Sequence, residues 1–147
     1  MLSNKDRSQP FHLALLSGLL VSVVAVISMI VDMLTTNSVD SHLRDLYEPH
    51  GVDYDAGLVW SLLIGSFVIA IVVWIVALRW QDNGARRGRL WGIVTYIIGA
   101  GVLASIATIT EYGEPLLPLH WQLVCWLLIA IGFVAALLPW ISGRTQG

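Results

Sequence analysis

A single cysteine, Cys125, sits inside an apolar run of this 147-residue chain. One thiol excludes an intramolecular disulfide and the paired cysteines that redox and zinc-ribbon chemistry need. Charge is scarce as well. Charged residues make up 12% of the chain, where a soluble domain carries about 25%. The net charge of −2, with no basic tail, removes the electrostatic footprint of a nucleic-acid binder. No G-x-S-x-G, HExxH, Walker or Rossmann pattern occurs, so the motifs point to no catalytic residue, no cofactor and no metal.

A further absence concerns the apolar stretches themselves. None carries Asp, Glu, Lys, Arg or His near its middle. An ionisable group there would cost about 2.5–3.5 kcal/mol on insertion scales and would mark a proton or ion path. Small multidrug transporters place a glutamate in the middle of their first helix; the corresponding stretch here, Leu19 to Ile27, has none. Proton-coupled efflux is disfavoured.

What remains is apolar. Hydrophobic residues form 56% of the chain, and its mean hydropathy is +0.75. A bilayer core about 30 Å thick takes roughly 20 apolar residues of helix. Four stretches qualify, at about 11–34, 58–78, 90–109 and 116–141, the last entering the core near His120. Spanning segments must satisfy their own backbone hydrogen bonds, and these runs lack the alternation of barrel strands, so they are read as helices. The first is too long for a signal peptide, and no A-x-A site follows it. Pro10 suits its first turn. The expectation is an all-α, antiparallel bundle of four transmembrane helices in one domain, 1–147.

Charge placement orients it. Lys5, Arg7, Arg79, Arg86, Arg87, Arg89 and Arg144 fall on one side with two carboxylates. The other side holds Arg44 against Asp32, Asp40, Asp45, Glu48, Asp53, Asp55, Glu111 and Glu114. The positive-inside rule puts both termini and the Gln81–Arg89 connection in the cytoplasm. Arg79, Arg86, Arg87 and Arg89 are then topogenic, and they can touch anionic headgroups at about 1 kcal/mol each. Arginine outnumbers lysine seven to one, the bias of a GC-rich bacterial genome; the expected site is a bacterial inner membrane. Tyr54, Trp60, Tyr112 and Trp121 lie near the outer ends and Trp80, Trp91 and Trp140 near the inner ends, where amphipathic rings favour headgroups. Trp74 and Trp126 lie deeper, as packing residues.

The outer loop 35–53 predicts a short amphipathic helix at about 39–47. Val39, Leu43, Leu46 and Tyr47 share one face, and Asp40–Arg44 and Arg44–Glu48 stand at i,i+4 spacing. Ser38 is placed to cap its start, Pro49 and Gly51 to end it, and Asp53 or Asp55 to cap the second span. Small residues recur along the spans, among them Ala14, Gly18, Ser22 and Ala25 in the first, Gly65 in the second, Gly99 in the third and Gly132 in the fourth. Such stripes let helix backbones approach in lipid.

Three residues are candidates for chemistry at the outer mouth. Asp32 shares a helix face with Gly18 and Ser22, and Glu111 is expected beside Ala100, Ala104 and Ala107; two close carboxylates would form a shallow cation or ligand site. His120 opens the fourth span. Against this stands the plainer reading of helix ends meeting water. His42, His50 and His120 match no metal motif, and Cys125 reads as a packing residue.

The Gly51-Val52-Asp53 entry to the second span and the Arg86-Arg87-Gly88-Arg89-Leu90-Trp91 turn into the third resemble those of small four-helix integral membrane proteins of bacteria. That resemblance implies topology and no activity. The functional expectation is a non-enzymatic accessory, scaffolding or regulatory subunit, in contact with the bilayer and with a membrane-protein partner or further copies of itself. The alternative is a small transporter or channel with an acidic outer mouth. A membrane enzyme would require Asp32, Glu111 and His120 to converge.

Overall fold

The computed structural model describes residues 4–81 and 86–143. Five helices follow in order: α1 Asn4–Leu34, α2 Ser38–Tyr47, α3 Ala56–Gln81, α4 Arg86–Thr108 and α5 Leu119–Gly143. A 3-10 turn, Glu48–His50, extends α2. Between α4 and α5 lies a two-stranded hairpin, β1 Thr110–Glu111 and β2 Glu114–Pro115. Apart from that hairpin, the described residues form an all-α fold. His12–Leu34, Ala56–Arg79 and Leu119–Leu138 are long and apolar enough to cross a membrane; Ile93–Thr108 is a fourth, shorter apolar helix among the described residues.

Contacts fix the packing. Gly18 of α1 faces the Trp74 ring of α3, and Asn37 just beyond α1 bonds Trp60 near the start of α3. Hence α1 and α3 are antiparallel. Trp121 at the start of α5 reaches Asp32 at the end of α1, while Gly132 further along α5 receives Tyr96 of α4. Around the bundle the order is α3, α1, α5, α4, with α4 closing less tightly on α3.

The core is concentrated at the α2 end. Met29, Leu63, Phe67, Leu117 and Cys125 are fully buried, together with Val39 and Leu43 from α2. The i, i+4, i+7 spacing of Val39, Leu43 and Leu46 turns one face of α2 onto this cluster and leaves Arg44 and Asp45 in solvent. Elsewhere the helices present apolar side chains outward. On α1 these are Leu13, Leu16, Leu20, Val24, Ile27 and Val31; Leu62, Ile69 and Val72 on α3, Ile97 and Ile98 on α4, and Leu123 and Leu127 on α5 do the same. Soluble proteins rarely expose contiguous apolar surface of this extent.

Several expectations are corrected. Helix α1 begins at Asn4, so Pro10 lies inside it and not in its first turn. The Arg86–Arg89 run belongs to the first turn of α4 and is no loop; the 82–85 connection and Arg144 lie outside the described residues. Helix α5 starts at Leu119 because Pro118 holds the residue before it out of helical geometry; the Pro118 carbonyl accepts from Trp121 and Gln122 N–H at 3.0 and 3.2 Å. The cap expected for the second span is found at Asp55, which accepts from Leu58 N–H at 3.2 Å. Trp126 points outward, 45% exposed, since the buried face of α5 runs through Trp121, Cys125, Leu128 and Ala135. Trp60 and Trp121 are buried in the bundle instead of ringing it.

The small residues work differently from the stripe reading. A Cβ on Gly18 would stand 2.5 Å from the Trp74 ring, and one on Gly132 would stand 2.9 Å from the Tyr96 ring. These glycines admit aromatic rings, not a neighbouring backbone. Gly65 and Gly99 face nothing within 4 Å.

Candidate functional site

The polar side chains that converge do so where α1, α2 and α5 meet. Helix α1 ends at Leu34 and the chain reverses through Asn37, whose φ of 46° lies in the left-handed region that asparagine tolerates. Asn37 N–H donates to the Asp32 carbonyl at 2.6 Å, closing the α1 terminus. Asn37 is also the N-cap residue of α2, with no side-chain capping bond. Ser38, expected to cap, is instead the first helical residue.

The cap comes from Asp32. Its Oδ1 accepts from Ser38 N–H at 3.0 Å and from the Thr36 hydroxyl. Its Oδ2 accepts from the Ser38 hydroxyl and from Trp121 Nε1 at 3.0 Å. A carboxylate offers about four acceptor positions, and here four donors fill them. Each bond to a charged acceptor contributes about 1.5–3 kcal/mol. Asp32 is thereby a fastener joining three helices, with no lone pair left facing a mobile cation.

His120 joins the edge of this knot. Its Nε2 stands 3.8 Å from Asp32 Oδ2 and 3.3 Å from Ser38 Oγ, with the imidazole 56% exposed. Serine, histidine and aspartate together invite comparison with a nucleophilic triad, in which the imidazole lies between hydroxyl and carboxylate. Here the Ser38 hydroxyl donates its hydrogen bond directly to Asp32, and both groups approach the same imidazole nitrogen, so the imidazole does not lie between them.

Beneath the fastener, Trp60 Nε1 donates to Asn37 Oδ1 at 3.0 Å, and the Trp60 and Trp121 rings meet edge to face with centroids 6.2 Å apart. A buried indole N–H requires an acceptor; the paired tryptophans find theirs on the two sides of the α1–α2 turn. Trp60→Phe is expected to cost about 1 kcal/mol, the net worth of one such bond. An unfolding titration in mixed micelles would detect it, and an unchanged midpoint would remove Trp60 from the network.

Glu111 lies elsewhere. Helix α4 stops at Thr108, so Glu111 falls on β1 and leaves the helical face of Ala100, Ala104 and Ala107. It accepts from the Tyr47 hydroxyl of α2. The hairpin turns through Tyr112 and Gly113, both at positive φ (54° and 86°), the type I′ geometry of a two-residue loop. His42 Nε2 meets the Pro115 carbonyl at 2.9 Å, and the His50 ring stacks on Tyr112 at 3.9 Å. Three residues on one side of α2 and its 3-10 turn thus hold the hairpin. The structure brings Asp32 and His120 together, while Glu111 bonds Tyr47.

Arg44 pairs with Asp40 at 3.1 Å; the Tyr54 hydroxyl beside it, with Asp40 and Glu48, raises the guanidinium above its ordinary range. Arg79 is exposed in the last turn of α3, where a cation complements the helix dipole. Cys125 is fully buried in the apolar cluster that also holds Val39 and Leu43. A shallow groove of about 450 Å³ runs between α1 and α5, lined by Leu13, Ala14, Ser17, Ala130, Ile131 and Val134. Its one hydroxyl, Ser17, donates to the Ala14 carbonyl at 2.8 Å. Among the described residues no three His, Cys, Asp or Glu side chains converge to hold a metal.

Sequence reasoning singled out Asp32 and His120 and missed Asn37, Ser38, Trp60 and Trp121 as their companions. The signal available was an aspartate ending an apolar helix, followed within six residues by Thr-Thr-Asn-Ser. No protein-family model, curated protein or solved structure matches the chain.

Proposed function

We propose that this chain is an integral membrane protein of four spans, a non-enzymatic accessory, scaffolding or regulatory subunit acting through a membrane-protein partner or further copies of itself. One observation carries the reading: apolar side chains face outward along all four long helices, while the converging polar groups satisfy one another at a single end. The outward belts suit lipid and neighbouring helices. The saturated polar knot suits architecture, since a reaction centre keeps a group free for its substrate.

Helix α4 counts as the fourth span. Beyond its basic first turn, residues 90–108 rise about 28 Å at 1.5 Å per residue, close to the thickness of the hydrocarbon core. The tilt toward basic residues at the opposite end from α2 supports cytoplasmic termini and a cytoplasmic 82–85 connection, in a bacterial inner membrane. Arg79, Arg86, Arg87 and Arg89 then lie at the level of anionic headgroups, with α2 and the hairpin forming a cap on the outer face.

Alkaline carbonate should leave the chain in the membrane pellet. Reporter domains inserted at Gly113 and fused after Gly143 should report opposite sides, the first outside. Mild solubilisation should yield the chain in a complex larger than its 16.1 kDa. Release by carbonate, or a cytoplasmic Gly113 reporter, would defeat the topology; a monomer without cross-linked neighbours in cells would defeat the partner role.

A further inference from the structure

We draw no further inference here: the strongest candidate, the shallow apolar groove between α1 and α5 lined by Leu13, Ala14, Ser17, Ala130, Ile131 and Val134, is an unpartnered face, and nothing in the structure shows what covers it.

Discussion

Asp32→Ala is expected to be the most damaging single substitution at the capped end, lowering unfolding free energy by about 3 kcal/mol. The Asp32 side chain is 12% exposed, so solvent replaces little of what the carboxylate supplies. Its removal leaves Ser38 N–H, the hydroxyls of Ser38 and Thr36, and Trp121 Nε1 without their acceptor. An unsatisfied buried donor costs about 1–3 kcal/mol, and the hydroxyls can turn toward other oxygens, which keeps the total below the simple sum. Asp32→Asn should recover part of the loss, because an amide keeps one accepting oxygen and sets an N–H₂ against donors.

The protein carries its own reporter for this change. Cys125 is the single cysteine and is fully buried, clustered with Val39 and Leu43 of α2. If α2 loosens by about 3 kcal/mol, alkylation of Cys125 by a membrane-permeant maleimide should accelerate on the order of a hundredfold, at 1.4 kcal/mol per factor of ten. A rate within twofold of wild type would mean that apolar contacts alone hold α2. Asp32→Ala combined with Trp121→Phe should cost less than the two separately, as expected of groups sharing one bond.

The second large effect is expected at Gly18. Three atoms of the Trp74 ring lie 2.5, 2.6 and 2.8 Å from where its Cβ would be, and an indole has no flexible end to move aside. The same ring approaches α5, where a Cβ on Gly132 would stand 3.9 Å from it. Gly18→Leu should therefore destabilise the bundle by about 3 kcal/mol, the upper part of the range for overpacking. Gly65→Leu, with nothing within 4 Å, should stay within about 0.5 kcal/mol of wild type. Denaturation in mixed micelles distinguishes them. Equal effects at both glycines would show that the Trp74 wedge does not discriminate. Gly18→Leu with Trp74→Ala should regain part of the loss, since the incoming side chain then occupies the vacated space.

What the chain discloses before folding follows from how local each cause is. Long apolar runs need only their own backbone bonds to become helices, so helix positions could be read along the chain. The periodicity of Val39, Leu43 and Leu46 is equally local, and α2 is found at Ser38–Tyr47. Pairings across the bundle carry no such mark. Trp60 and Trp121 look like interfacial tryptophans in sequence; only the crossing of α3 and α5 with the α1–α2 turn turns their N–H groups inward. The hairpin escaped notice because Tyr112 is an unusual residue for positive φ, and with the turn unrecognised Glu111 was placed on a helical face that ends at Thr108. Gly18 and Gly132 were legible as small, but which ring each admits depends on helix register.

The bond between Asp32 and Trp121 spans 89 positions of sequence. A ribosome adding about 5–20 residues each second makes the tryptophan roughly 4–18 s after the aspartate. Throughout that interval the carboxylate at the end of α1 is incompletely matched. Helix α5 supplies the closing partner, and a truncated polypeptide ending before residue 121 would leave this oxygen without the indole N–H besides losing the rest of α5.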